Sequence, residues 1–438
     1  MCAIVLQTFI PITSNKSVQF QGNLATSASF MIKTTPDNVP ASSFAGKNES
    51  ISIGSRCGQN HGDSSVQTSI PDNLSIKLTV VSFFSACSIV FLHAFENHLK
   101  DTGSPGTAWF ITLFSRIMTS FAVPIFFVIS GYLFARKTDF CQKDWYSFLL
   151  KKRSKSLLFP YFAWCTIYAC IVTPFTVFGN HLAGRAPTVN TCLQEPLLSI
   201  WNLFRIYGLN FELIPPAAGS LWYIRNLFIL FLLTPCLVPL MKRRNLAIGY
   251  LILSTEVFTF HDWFPRSCWQ FFETGISLRG LFAFPLGMYL AYYPVKPDSF
   301  KILRRTIPFL WLALSIASTW LMLYPVPGTD DLKLLLMKFV TLSGICAVWV
   351  LPDMIPALLR AGSWSIAKDS FLLYAIHQGI MGVVMCARVE KILLVKIHVP
   401  VLGIFLLRFL IPLTLSLLII EFLKRFFPAV HRLLSGGR

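Results

Sequence analysis

A histidine, a glutamate and an arginine lie within or beside strongly apolar stretches, close together in the sequence. His93 ends the stretch SIVFLH, Glu96 follows three residues later, and Arg116 lies within LFSRIMTSFAVP. Histidine is the usual general base at neutral pH, a nearby carboxylate can orient its imidazole, and arginine stabilises anions. The structural alternative is that His93 hydrogen-bonds a neighbouring helix while the other two side chains extend to a membrane surface. His93 and Glu96 are therefore the candidate catalytic residues, and Arg116 is a candidate substrate-binding residue.

A second histidine lies in a later apolar stretch, FLLYAIHQGI. His377 follows Tyr374 by three residues, which places both side chains on one face of a helix. Both are candidates for substrate binding, although a structural hydrogen bond is the favoured interpretation of the histidine. Lys338 and Arg408 also fall inside apolar stretches, and the sequence assigns a partner to neither.

The composition shows why ionisable side chains in these stretches stand out. Of the 438 residues, 54% are hydrophobic and only 13% are charged, against about 25% in a soluble domain. This balance predicts an all-α polytopic membrane protein embedded in a lipid bilayer, where buried ionisable groups are costly. A net charge of +18 would be compatible with binding to nucleic acid. Because the basic residues form short runs between apolar segments, no nucleic-acid partner is predicted.

Ten apolar segments, most close to the ~20 residues that cross a bilayer as a helix, define a membrane domain over residues 77–425. The segments are 78–96, 109–134, 157–178, 221–241, 246–262, 276–293, 307–325, 334–352, 369–387 and 399–422. Lysine and arginine number twenty in one alternating set of flanking regions and eight in the other. The richer set is assigned to the cytoplasm, so about ten transmembrane helices with both termini cytoplasmic are predicted.

The regions outside these segments are assigned by composition. Residues 1–76 are rich in Ser, Asn, Thr and Gln, and this composition predicts a disordered cytoplasmic tail, with a mis-assigned start codon as the alternative. Residues 426–438 are predicted to form a short basic cytoplasmic tail. The loop 179–220 is predicted to face outside, where an interfacial helix or a partial lid would suit it. Cys192 and Cys268 lie in outer loops and allow a disulfide, and no cysteine spacing indicates a metal site.

The apolar segment FAVPIFFVISGYLF contains three residues that a passive membrane helix does not need. Pro124 frees a backbone carbonyl and can kink the helix. Gly131 allows close approach of another helix or a ligand, and the Ser130 hydroxyl can bind backbone groups or a substrate. Ser130 is therefore a candidate substrate-binding residue, with a kinked and tightly packed helix as the structural alternative.

Two further stretches offer binding groups. Trp222, Tyr223 and Arg225 in GSLWYIRNLF are candidates for substrate binding, either as a sugar site on the ring faces or as an aromatic belt at the membrane interface. The run KKRSK is either a cytoplasmic topology signal, which is favoured, or a site for the phosphates of a nucleotide-like donor. Its candidate cofactor-binding residues are Lys151, Lys152, Arg153 and Lys155.

Five of these stretches together resemble the acyltransferase-3 family of integral membrane acyltransferases. They are SACSIVFLHAF, FAVPIFFVISGYLFARK, FLLKKRSKSLLFPYFAW, GSLWYIRNLFILFLL and DSFLLYAIHQGI, in the family's order, within residues 74–424. The second is the most specific, with the pattern P-x-F-F-x-x-S-G-Y. The resemblance implies that His93 is the catalytic histidine. The family's usual arginine eleven residues earlier is replaced here by Ser82, and we hypothesise that Arg116 supplies the missing charge.

The resemblance implies an acyl-CoA-dependent O-acyltransferase of the inner (plasma) membrane, with no bound cofactor or metal. Its co-substrate would be acyl-CoA, most often acetyl-CoA, and its acceptor a hydroxyl of a cell-surface or exported carbohydrate. His93 would remove the acceptor proton or form a transient acyl-histidine, Glu96 would orient the imidazole, and the basic run would bind the CoA phosphates. The alternative class is a glycan or lipid transporter or flippase without acyl transfer, which an inverted-repeat hydropathy would favour. No such repeat is visible.

Overall fold

The structure is a helical bundle, available as a computed structural model. It describes residues 72–95, 104–172, 221–260, 277–294, 301–361, 365–385 and 387–437, and no β-strand occurs among them. The predicted all-α class is therefore confirmed for this part of the chain. Four predicted features lie outside the described residues: Glu96, the loop 179–220, the cysteines at 192 and 268, and residues 1–71 of the predicted tail.

The helices are numbered here along the described chain. They are α1 (Asp72–His93), α2 (Pro105–Lys137), α3 (145–172), α4 (Trp222–Leu232), α5 (Thr234–Lys242), α6 (Arg244–Phe260), α7 (Leu278–Tyr292), α8 (Lys301–Leu323), α9 (Asp330–Met354), α10 (Pro356–Ala361), α11 (Ser370–Val384), α12 (Ala387–Lys391), α13 (Val401–Phe426) and α14 (Pro428–Ser435). A 3-10 turn, Ser365–Asp369, precedes α11, and a π turn, Ile392–Lys396, follows α12.

Five of these helices, namely α1, α2, α8, α9 and α13, are long and apolar enough to cross a membrane. Two bent pairs raise the number to seven if each pair is one span: α4 with α5, bent by 66°, and Ser365–Val384 with Val389–Lys396, bent by 57°. Each of the ten predicted apolar segments overlaps a helix in the described part of the chain. The chain is a multi-pass membrane protein, while the count of ten spans and the cytoplasmic termini stay predictions.

Two of the long helices are not regular. Within α2 the backbone passes through a π turn at Ile111–Ile117 and a 3-10 turn at Met118–Phe121. Within α3 there are π turns at Ser154–Leu158 and Tyr168–Val172. A π turn rotates the side chains that follow it relative to a regular helix, and such turns are frequent at functional sites.

α2 and α7 make the most extensive contact between helices in the described part. A Cβ atom on Gly131 would collide with the carbonyl oxygen of Phe284, and one on Gly287 with the carbonyl oxygen of Val128. The two backbones therefore touch reciprocally through glycines, as in other membrane helix pairs that use small residues. The predicted close approach of another helix at Gly131 is confirmed.

The C-terminal helix α14 packs back onto the bundle. The indole Nε1 of Trp164 in α3 donates to the carbonyl of Leu434 at 3.2 Å. The buried Asp369, just before α11, lies 2.9 Å from His431 Nε2 and 2.5 Å from Lys424 Nζ. The end of the chain is thereby tied to the start of the helix that carries His377.

Candidate active site

The two candidate histidines face each other between α1 and α11. Their ring centroids are 5.2 Å apart. His93 is half-buried at the last position of α1, and His377 is fully buried. The Nδ1 atom of His377 lies 3.2 Å from the carbonyl oxygen of Leu373, one turn earlier. Because a carbonyl only accepts, this contact places the proton of the neutral ring on Nδ1 and a lone pair on Nε2.

Polar groups continue inward from the histidine pair. The ring centroids of Tyr374 and His377 are 6.2 Å apart, and those of Tyr374 and Tyr223 of α4 are 5.9 Å apart. The Tyr223 hydroxyl lies 3.1 Å from the Oγ of Ser130 in α2. The His377 Nε2 and the Tyr374 hydroxyl are both buried and have no hydrogen-bond partner among the described residues. We call His93, His377, Tyr374, Tyr223 and Ser130 the histidine–tyrosine cluster.

The P-x-F-F-x-x-S-G-Y segment builds one side of this cluster. The rings of Phe126 and Phe127 pack on Tyr223, with centroids 5.9 and 4.6 Å away. One turn after Phe126, Ser130 bonds the same tyrosine, and at the next residue, Gly131, α7 approaches the backbone closely. The structural interpretation of this segment, tight helix packing, thus also brings Ser130 into the cluster, and substrate binding by Ser130 stays a prediction.

Tyr168 of α3 touches the helix that carries His377, and sequence reasoning did not identify it. Its hydroxyl donates to the carbonyl of Ala375 at 2.8 Å and accepts from the backbone N–H of Gly379 at 2.7 Å. In a regular α-helix these two groups, four residues apart, bond each other. The tyrosine hydroxyl therefore replaces the direct backbone hydrogen bond between Ala375 and Gly379, the two residues that flank His377 in the helix. The sequence carries no signal of this contact, because an aromatic residue in an apolar helix is common.

A buried ion pair lies beside the histidine pair. The guanidinium of Arg408 in α13 pairs with the carboxylate of Glu390. Its Nε donates to the carbonyl of Ala94 at 3.1 Å, and its Nη2 lies 3.8 Å from the sulfur of Met381. The sequence marks Arg408 as an ionisable residue in an apolar segment. Its partner was not identified, because Glu390 lies outside the predicted apolar segments.

Two other basic side chains predicted within apolar segments lie elsewhere. Arg116 is exposed, and its guanidinium lies 5.8 Å from the ring centroid of Phe95. The structure thus does not bring Arg116 into the histidine–tyrosine cluster. Lys338 lies above the ring of Phe258, 4.9 Å from its centroid.

The candidate binding residues of α4 separate into different environments. Tyr223 belongs to the histidine–tyrosine cluster, as described above. Trp222 is half-buried, and its carbonyl accepts a hydrogen bond of 3.0 Å from the side chain of Asn226. Arg225 is half-buried and lies within electrostatic range of Tyr161 in α3. A sugar-binding role for Trp222 and Arg225 stays a prediction.

The basic residues of the KKRSK run in α3 also differ in their exposure. Lys151, Lys152 and Lys155 are exposed, so their ammonium groups are available at the surface. Arg153 is half-buried, and its guanidinium lies 4.4 Å from the ring centroid of Phe231. The three lysines can therefore meet a phosphate without rearrangement, while the arginine also packs α3 against α4.

Comparison with known proteins identifies the class. The family model of the acyltransferase-3 acyltransferase domain matches residues 77–424. This match covers most of the chain, which therefore belongs to the acyltransferase-3 family of membrane acyltransferases, as the five motifs indicated. Searches of the curated proteins and of the solved structures returned no significant match.

Proposed function

We propose that this protein transfers an acyl group, typically acetyl, from acyl-CoA to a hydroxyl of a cell-surface or exported carbohydrate at the inner (plasma) membrane. Membership of the acyltransferase-3 family supports acyl transfer. The observation that carries the proposal is the histidine pair, 5.2 Å apart between ring centroids. Beside it, His377 and Tyr374 each hold a buried polar atom without a partner in the described part of the chain. Unpartnered buried polar groups are costly, so they mark a place where a substrate would bind.

In this proposal His93 is the general base. Its ring nitrogen takes the proton of the acceptor hydroxyl as the hydroxyl oxygen attacks the thioester carbonyl. The C–S bond then breaks, and the imidazolium returns the proton to the sulfur of the departing CoA. The half-buried position of His93 at the end of α1 suits a residue that must meet an acceptor.

The rest of the histidine–tyrosine cluster would bind the reacting groups. The Tyr374 hydroxyl is a neutral donor for the negative charge that develops on the carbonyl oxygen. The His377 Nε2 would accept a hydrogen bond from the acceptor, because its Nδ1 is engaged with the carbonyl of Leu373. The exposed lysines of the KKRSK run would hold the phosphates of CoA.

The proposal is tested by following CoA release from acetyl-CoA by the full chain in nanodiscs, with a crude surface-glycan acceptor. We expect His93→Ala to lower turnover by about 10²- to 10⁴-fold, the range for loss of a general base. The matched control is His398→Ala, since His398 is an exposed histidine outside the cluster, and its turnover should equal that of the unaltered protein.

Two results would contradict the proposal. Full turnover in His93→Ala would remove the general-base role. Absence of CoA release with acetyl, succinyl and longer donors, together with no protection against thermal unfolding by CoA thioesters, would favour the transporter class instead.

A further inference from the structure

The Arg408–Glu390 ion pair is buried deep beside the histidine pair. The side chain of Arg408 is 7% exposed and that of Glu390 is 2% exposed, so neither charge is solvated. Arg408 is seven residues into α13, about 10 Å along the helix. Buried charges in a membrane protein are costly and adjoin functional sites more often than not. A structural role alone would be served as well by two apolar side chains.

Arg408 holds the turn that carries His93. The carbonyl of Ala94, the residue after His93, accepts from Arg408 Nε at 3.1 Å. The last carbonyls of a helix have no partner within the helix, and a positive charge there is favourable. In the same turn the hydroxyl of Ser115 donates to the carbonyl of Phe91 at 2.6 Å. Side chains from α13 and α2 therefore fix the end of α1.

The same guanidinium reaches the helix of the second histidine. Its Nη2 contacts the sulfur of Met381. Met381 is four residues after His377, on the same face of α11. Arg408 also lies within electrostatic range of His93. One side chain from α13 thus spans the two helices whose relative position sets the distance between the histidine rings.

We propose that Arg408 is a positioning residue for His93, acting through the Ala94 carbonyl, and that Glu390 neutralises its charge and fixes its orientation. This inference rests on the function proposed above. The sequence suggested that Arg116 supplies the missing charge, whereas Arg408 supports the backbone beside His93. The arginine acts from α13 on the backbone of α1, and its contacts with Ala94 and Glu390 leave the catalytic proton transfer to His93.

The test is a pair of variants that separate positioning from folding. Arg408→Met alone would leave the buried Glu390 carboxylate without the arginine charge and destabilise the protein, so the informative variant is Arg408→Met/Glu390→Met, which removes both charges. We expect it to fold, with kcat for CoA release reduced by roughly tenfold to a hundredfold and KM for acetyl-CoA unchanged, because a small misplacement of a catalytic group has that effect.

The second variant, Arg408→Lys, keeps the charge facing Glu390. A lysine ammonium cannot reproduce the arginine fork, so the bond to the Ala94 carbonyl should be lost. We therefore expect kcat to fall here too, whereas a purely structural ion pair predicts normal turnover. The control is Lys77→Met/Asp353→Asn, which breaks the 2.7 Å ion pair at the opposite end of α1. Its kcat should stay within about twofold of the unaltered protein, because it leaves the turn of His93 intact.

A measurement that does not depend on enzymatic turnover separates this inference from the proposed function. Cysteines at both histidine positions (His93→Cys/His377→Cys) can be joined by a short bismaleimide, and the cross-linked peptides quantified by mass spectrometry. Adding Arg408→Met/Glu390→Met should reduce the yield several-fold if the arginine sets the position of α1. Unchanged yield together with normal kcat in the folded double variant would overturn the proposal. If the unaltered protein neither released CoA nor was protected against thermal unfolding by CoA thioesters, the proposed function would fail, and the cross-linking yield alone would decide the positioning.

Discussion

Replacing Tyr168 with phenylalanine removes one oxygen atom from the surroundings of His377 and leaves the aromatic ring in place. The hydroxyl bonds the Ala375 carbonyl at 2.8 Å and the Gly379 N–H at 2.7 Å. Helices bend where a side chain enters the ladder in this way. Without the oxygen, the carbonyl and the N–H can pair directly, and the turn that carries His377 tightens.

The expected change in stability is small and follows from the bonds. Tyr168→Phe loses two hydrogen bonds and regains one between the Ala375 carbonyl and the Gly379 N–H, a net loss of one bond or about 1 kcal/mol in the free energy of unfolding. The effect on catalysis should be larger. A shift of about 1 Å in a reacting group can cost on the order of 10²-fold, so we expect kcat to fall by roughly tenfold or more with KM for acetyl-CoA unchanged.

The matched control is Tyr250→Phe, assayed by CoA release and thermal unfolding in nanodiscs. Tyr250 is half-buried, and its hydroxyl donates to the carbonyl of Leu281 at 2.9 Å, away from the histidine–tyrosine cluster. It also loses one hydrogen bond, so both variants should lose about 1 kcal/mol of stability. Turnover should drop in Tyr168→Phe only. Equal turnover in the two variants would show that the position of His377 does not depend on Tyr168.

Three further variants test the cluster and its supports. Gly131→Ala should lower the free energy of unfolding by about 2 kcal/mol or more, because the new methyl group meets the backbone of Phe284. Gly249→Ala, where a Cβ meets open space, should not lower stability in the same thermal-unfolding assay. His377→Gln should lower kcat for CoA release by roughly 10²-fold with unchanged thermal unfolding, and wild-type turnover would exclude it from the reaction. Asp369→Asn should weaken the contacts of Asp369 with His431 of α14 and Lys424 of α13, at a cost of about 1 kcal/mol. Limited proteolysis should then cut the C-terminal residues faster, and an unchanged digestion rate would refute this account.

The sequence carries enough information to identify the family and to single out all five residues of the histidine–tyrosine cluster. The three-residue spacing of Tyr374 and His377 places them on one helix face, and the P-x-F-F-x-x-S-G-Y pattern points to Ser130. Apolar length and loop charge locate the helices, since both properties are local in sequence. What they leave open is the number of spans, because several described helices, such as α7 (Leu278–Tyr292), are short for a bilayer.

The contacts that sequence reasoning missed join helices distant in the chain. Tyr168 contacts α11, and Arg408 contacts both the end of α1 and Glu390, and no local pattern encodes such pairs. The π turn at Ile111–Ile117 includes Arg116, whose side chain is exposed. Helix irregularity of this kind is set by packing and is not visible in hydropathy.

The bond from Arg408 to the Ala94 carbonyl also has a consequence for biosynthesis. During translation α1 enters the membrane early, whereas α13 and α14 follow every other described helix. The hydrogen bond that supports the turn of His93 can therefore form only after α13, which carries Arg408, has been synthesised. Incomplete chains that stop before α13 would keep their histidine but lack this support. A nascent or truncated protein would thus be poorly able to catalyse the proposed acyl transfer, and activity would arise together with completion of the fold.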